Sequence, residues 1–150
     1  LMFTGRNNGK AEEAVGFYTS VLPDSQPRGM MRYTGSEGEV AGNIQHGEFM
    51  IRDYLLMIMD SSGQPDLSFT EGVSLVVECD TQAEIDRYWT ALTSAGGEES
   101  MCGWLKDRYG VSWQIVPTVL PALMARSPRV TEELLKMKKL DIRKLTEAAG

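Results

Sequence analysis

Apolar and polar positions along this chain follow one order twice. Leu1-Met2-Phe3 opens as a strand fragment, and Gly5-Arg6-Asn7-Asn8-Gly9 reads as a loop by composition. Ala14, Val15, Phe17, Tyr18, Val21 and Leu22 then fall at helical spacing and predict a helix with that face buried. Asn8 stands where it can cap this helix, and Pro23-Asp24-Ser25 stops it. Three strand-like runs follow: Met30 to Thr34, Glu39 to Ile51, and Asp53 to Asp60. Gly47, inside the second run, marks a bulge or a bend. Ser61 to Asp66 is a connector and the best boundary between two halves.

The second half repeats the order. Gly72 to Cys79 is rich in β-branched residues and predicts a strand. Asp80 or Thr81 can cap the next helix, and Glu84 sits three residues past Thr81, as a capping box requires. Ile85, Tyr88, Trp89 and Leu92 make the buried stripe of the helix that follows, and Ala95-Gly96-Gly97 ends it. Glu98 to Cys102 and Trp104 to Lys106 read as short strands. Asp107-Arg108-Tyr109-Gly110 turns the chain into a last strand, Val111 to Val116, closed by Pro117. Glu13-Ala14-Val15-Gly16-Phe17-Tyr18 returns as Glu84-Ile85-Asp86-Arg87-Tyr88-Trp89, 71 residues on. That period is too long for a solenoid and fits two copies of a half-domain. After Pro117 the pattern changes: Pro121 to Ala125, Val130 to Leu140 and Ile142 to Ala149 read as helices, with Leu134, Leu135, Met137, Leu140, Ile142 and Leu145 supplying apolar surface. The expected fold class is α+β: two βαβββ modules with mixed sheets, plus C-terminal helices. The expected organisation is a single domain over 1–150, with modules at about 1–62 and 70–117 and a helical tail at about 119–150.

Composition narrows the function classes. Hydrophobic content of 42% and charged content of 24% suit a soluble globule. No apolar run approaches the roughly 20 residues of a membrane span, so no membrane partner is expected. The net charge is −6, but residues 1–128 hold 9 basic and 17 acidic side chains, whereas residues 129–150 hold 6 and 4. An acidic body lacks the basic footprint of a nucleic-acid groove. The basic tail reads as the solvated face of an amphipathic helix. Cys79 and Cys102 are the only cysteines and form no Cys-x-x-Cys pair. Buried free thiols and a reducing cytoplasm are the expectation.

Four stretches resemble one known family. Ala11 to Tyr18, Val77 to Trp89, Cys102 to Pro117 and Leu135 to Asp141 are similar to segments of the 3-demethylubiquinone methyltransferase-like, PhnB-type branch. That branch lies within the vicinal oxygen chelate superfamily of glyoxalases, bleomycin-resistance proteins and extradiol dioxygenases. The resemblance implies curved sheets around a cleft, a small-molecule ligand and a homodimer. It also implies a divalent metal on four pocket-facing side chains, two from the first and last strands of each half. Placing Leu56-Met57-Ile58-Met59 on Trp113-Gln114-Ile115-Val116 makes Met57 and Gln114 equivalent, and the opening strands offer Leu1-Met2-Phe3 and Val73-Ser74-Leu75. None of these is His or a carboxylate. Gln114 is a weak ligand, and a thioether such as Met57 suits Mg²⁺, Mn²⁺ or Zn²⁺ poorly. The expectation is therefore a cup without its metal. S-adenosylmethionine is not expected either, because its common fold needs a glycine-rich turn after a first strand of a doubly wound sheet.

The candidate site residues follow. His46 is the sole histidine, suited to acid–base work or simply hydrogen-bonded within the sheet. Strand alternation groups it with Ile44 and Glu48. Glu48, Asp60 and Glu78 are possible acid–base partners. Trp104, Trp113, Tyr54 and Phe69 offer aromatic walls or core, and Met30, Met31, Met50, Met57 and Met59 an adaptable lining or ordinary packing. The expected ligand-binding set is Gln114, Met57, Trp104 and Asp60, with His46 as the catalytic candidate and no metal ligand. The function expected is binding of a small, mainly apolar or aromatic molecule, with or without slow chemistry. The alternatives are methylation of a quinone-like ring, a metal-dependent isomerase or lyase, and a drug-sequestering resistance protein.

Overall fold

Met2–Phe3 (β1) runs parallel to the last strand of the first half, Tyr54–Asp60 (β4), with Met2 against Met59 and Phe3 against Asp60. Between them in the chain come helix α1 (Ala11–Val21), β2 (Ser25–Arg32) and β3 (Ile44–Ile51), and the sheet order is β1-β4-β3-β2. The computed structural model describes residues 1–150 as two compact units, Leu1–Ser68 and Phe69–Gly150. The second unit holds β5 (Ser74–Cys79), α2 (Gln82–Thr93), β6 (Glu98–Glu99), β7 (Trp104–Lys106) and β8 (Ser112–Pro117), in the order β5-β8-β7-β6. Both sheets thus repeat one topology, a parallel first-to-fourth pairing followed by an antiparallel return. The tail helices α3 (Leu120–Arg126), α4 (Pro128–Leu134) and α5 (Ile142–Ala149) belong to the second unit. The architecture is α+β with two βαβββ modules and C-terminal helices. No helix is long and apolar enough to cross a membrane.

Helix α2 forms as its sequence predicts. Thr81 Oγ1 accepts the Glu84 amide at 3.2 Å, and the Glu84 carboxylate accepts the Thr81 amide at 3.0 Å. Ile85, Tyr88, Trp89 and Leu92 are all buried against the sheet. Helix α1 buries Ala11, Ala14, Val15 and Tyr18, leaving Phe17 only half-buried. Its cap differs from expectation. Asn8 does not cap it; Asn8 Oδ1 accepts from Asn43 Nδ2 at 3.2 Å. The open amides are met by Asp60 Oδ1, which accepts from Gly9 N at 2.8 Å and Ala11 N at 3.1 Å.

Other boundaries also move for local reasons. Strand β2 begins at Ser25, not Met30, because its backbone pairs with β3 from Ser25–Ile51 onward. It is an exposed edge strand, so Gln26, Pro27, Arg28 and Gly29 carry no apolar period. Strand β3 begins at Ile44, not Glu39. Before it, Gly38 and Gly42 take positive φ (78° and 90°), and the Glu39 carboxylate folds onto Ser61 and Ser62. Strand β6 is two residues long, since Cys102 turns the chain with φ 59°. Helix α4 stops at Leu134 because Met137 and Lys138 instead turn their carbonyls to Cys102 N (2.7 Å) and Gly103 N (2.8 Å). Leu120, Leu123, Val130, Met137, Leu140 and Leu145 form the tail's own core, while Leu135 is exposed. Cys79 is buried and Cys102 only half-buried, and neither forms a disulfide.

Candidate functional site

In the second unit, strand alternation divides the sheet into two chemically different faces. Val77, Cys79, Leu105, Trp113 and Ile115 are buried on the face that α2 covers. Ser74, Val76, Trp104, Lys106, Ser112 and Gln114 share the opposite face, because Ser74 pairs with Ser112, Val76 with Gln114, Trp104 with Gln114 and Lys106 with Ser112. Val76 is 57% exposed there. The Gln114 amide donates to Ser74 Oγ at 2.9 Å, which fixes its orientation beside Trp104. Val116, at the end of this face, packs against the tail core.

A recess of about 110 Å³ opens on this face, with Glu71, Glu98, Trp104, Lys106 and Ser112 in its lining. Lys106 Nζ lies 2.8 Å from Glu71 Oε1. The hydrogen bond and charge of Glu71, with a smaller contribution from Glu98, hold the ammonium above its ordinary range. Ser112 is 1% exposed, and its Oγ has no hydrogen-bond partner. Trp104 and Gln114, candidates from the sequence, stand on this face with Lys106 and Ser112, which the sequence did not single out. The signal available was their place on alternate positions of strands whose register the repeat already suggested.

The first unit offers a different surface. Glu48 pairs with Met57 as Trp104 pairs with Gln114, and Met57 and Gln114 each stand three residues before the end of their strand. The equivalence read from the sequence therefore holds in the register of the sheets. Met57 is 54% exposed. His46 Nε2 approaches Glu48 Oε1 at 3.3 Å, and both side chains are substantially exposed. Ile44 does not share their face. Met31 pairs with His46 while Arg32 pairs with Ile44, so Gln45 is an extra residue and Ile44 turns into the core. Gly47 is not that bulge. A Cβ there would lie 2.8 Å from Ile58 Cγ2, so glycine permits the close approach of β3 to β4.

Asp60 stands apart from the other candidates. It is 1% exposed, and its second oxygen accepts from Ile44 N at 2.9 Å, which makes three backbone amides on one carboxylate. Trp113 is core, donating its indole N–H to Asp107 Oδ2 at 2.9 Å. Asp107, read from the sequence as part of the turn, also accepts from Tyr109 N and Val111 N and so shapes that turn before β8. Tyr54, the first residue of β4, is exposed, 78% accessible.

The residues present do not suit a divalent metal. Sheet register makes Leu1-Met2-Phe3 equivalent to Val77-Glu78-Cys79, not to Val73-Ser74-Leu75. The pairing therefore puts thioethers, Met2 and Met57, in the first unit and one carboxylate and one amide, Glu78 and Gln114, in the second. Nowhere in the chain do three His, Cys, Asp or Glu side chains converge as a metal group. Neither pair by itself supplies the donors that a hard cation needs.

The profile of the family described as 3-demethylubiquinone-9 3-methyltransferase matches residues 1–116. A PhnB protein of Bacillus cereus, which carries that same name provisionally, is 33% identical with a TM-score of 0.70 over 78% of this chain and 96% of its own. Protein PA1353 of Pseudomonas aeruginosa is 25% identical, with a TM-score of 0.61 over 77% and 93% of the two chains. The fosfomycin resistance protein FosX of Mesorhizobium loti shares the fold at 17% identity, with a TM-score of 0.53 over 84% and 94%. No curated protein matches the sequence.

Proposed function

Since the chain belongs to the 3-demethylubiquinone-9 3-methyltransferase family, a PhnB-like branch of the vicinal oxygen chelate superfamily, we propose that it binds a small, mainly apolar or aromatic molecule on the second sheet, on the face away from α2. One observation carries this reading: half-buried Trp104 stands in register with Gln114, whose amide is held by Ser74, beside a recess on a face where Val76 is exposed. An aromatic wall with few, fixed polar groups is how proteins hold small ring compounds. Binding proceeds without a divalent metal, which the Met57 and Gln114 positions support by their donor chemistry. The protein works in the cytoplasm as a homodimer. His46, with Glu48 beside it, is the acid–base candidate of the first unit.

The test is a titration with quinones and naphthols followed at the three indole N–H resonances by NMR. A saturable shift of Trp104, with Trp89 and Trp113 unmoved, is expected. If no compound moves Trp104, the reading fails. Stoichiometric metal in the purified protein would overturn the metal-free part.

A second reading, methyl transfer to a quinone-like ring, is favoured by the name of the family and of the Bacillus cereus relative. Calorimetry with S-adenosylmethionine separates the two. Tight one-to-one binding would favour the transferase, and silence the binding protein.

A further inference from the structure

Resting on that reading, we propose that the recess beside Trp104 receives an uncharged oxygen, a carbonyl or hydroxyl carried by the aromatic ligand, and that Ser112 Oγ and Lys106 Nζ hydrogen-bond it. Lys106 and Ser112 are direct partners across β7 and β8, so their side chains leave the same face side by side. Trp104 is two residues before Lys106 and shares that face. A ring laid on the indole therefore brings its substituent to the Lys106–Ser112 pair.

The Ser112 hydroxyl is what singles out this spot. Ser112 is almost wholly buried and lines the recess, and its hydroxyl lacks a partner in the chain. Buried hydroxyls are nearly always bonded, and leaving one unmade costs stability. A ligand oxygen supplies the missing partner.

Charge then selects the kind of oxygen. Lys106 is already neutralised by Glu71 at 2.8 Å, and Glu98 also lines the recess. A carboxylate or phenolate would meet these two acids. An ammonium would meet Lys106. A neutral oxygen accepts from both donors and leaves the Lys106–Glu71 pair intact.

The experiment compares five ring probes by NMR at the Trp104 indole: acetophenone, phenol, toluene, benzoate and benzylamine. Acetophenone and phenol should bind more tightly than toluene by about fivefold, the worth of one net hydrogen bond. Ser112→Ala should remove most of that preference while raising the melting temperature. Lys106→Met, at a partly exposed position that tolerates change, should weaken acetophenone but not toluene. Equal binding of toluene and acetophenone would overturn the assignment of the oxygen while leaving the ligand face standing. Tightest binding of benzoate or benzylamine would also overturn it. If none of the five moves Trp104, the ligand face itself fails and this inference with it.

Discussion

Asp60 Oδ1 accepts the amide of Ala11 at 3.1 Å, so a carboxylate at the end of β4 caps a helix that begins 49 residues earlier. The same side chain takes Gly9 N and Ile44 N, joining β4, α1 and the start of β3 through one buried group. Asp60→Ala would leave three amides without their acceptor and should cost about 3 kcal/mol, measured by urea unfolding. Ligand titration at Trp104 should be unchanged in the folded protein. A loss of binding with full stability would instead return Asp60 to the ligand site.

Gly47 and Gly103 make a graded pair. A Cβ at Gly47 meets a side-chain methyl, Ile58 Cγ2, at 2.8 Å. At Gly103 it meets the Ile115 carbonyl oxygen at 2.8 Å, with the backbone already at φ 84°. Side chains move more easily than backbone, and only Gly103 adds a left-handed conformation. Gly47→Ala should cost about 1–2 kcal/mol. Gly103→Ala should cost more. Equal midpoints in a thermal melt would refute the ordering.

The turn that Glu39 holds should contribute to acid sensitivity. Hydrogen bonds from Ser62 and then Ser61 lower its pKa below the ordinary 4.5, as those from Arg32 lower Glu12's. A depressed folded pKa means the unfolded chain binds the proton first. This stabilisation is complete above about pH 4.5 and is lost as pH falls through the folded value. Glu39→Gln should therefore lower stability at neutral pH, leave the most acidic region little changed, and so flatten the acid limb of the stability curve. An unchanged acid limb would dismiss Glu39 as a contributor.

His46 should matter little to folding. Its imidazole is about half exposed, and its contact with Glu48 is a surface pair at 3.3 Å. His46→Ala should shift stability by less than about 0.5 kcal/mol. A clear destabilisation with unaltered ligand binding would remove it from any chemical role.

What could be read from the sequence was whatever a few neighbouring residues decide. The Thr81–Glu84 box and the Ile85, Tyr88, Trp89, Leu92 stripe lie within one helix and appear as expected. The equivalence of Met57 and Gln114 was readable because the halves repeat. The cap on α1 was not, since its acceptor comes from another strand and Asn8 was the nearer choice. The turn of Ile44 into the core depends on an extra residue at Gln45, and strand alternation carries no sign of it. Ser112 reads as an ordinary strand serine; only the packing around it makes its hydroxyl conspicuous.

The tail has a consequence for anyone trimming this protein to its family's limits. The family match ends at residue 116, yet Gln82 on α2 grips the tail on both sides of Asp141, donating to Leu140 O at 3.0 Å and accepting from Ile142 N at 2.9 Å. Cutting there would strip Cys102 and Gly103 of the carbonyls they bond and bare the greasy seat where Leu140 rests against Gly103. The shortened chain should come out of the cell sticky and aggregated, with the wall that carries Trp104 the first part to go slack.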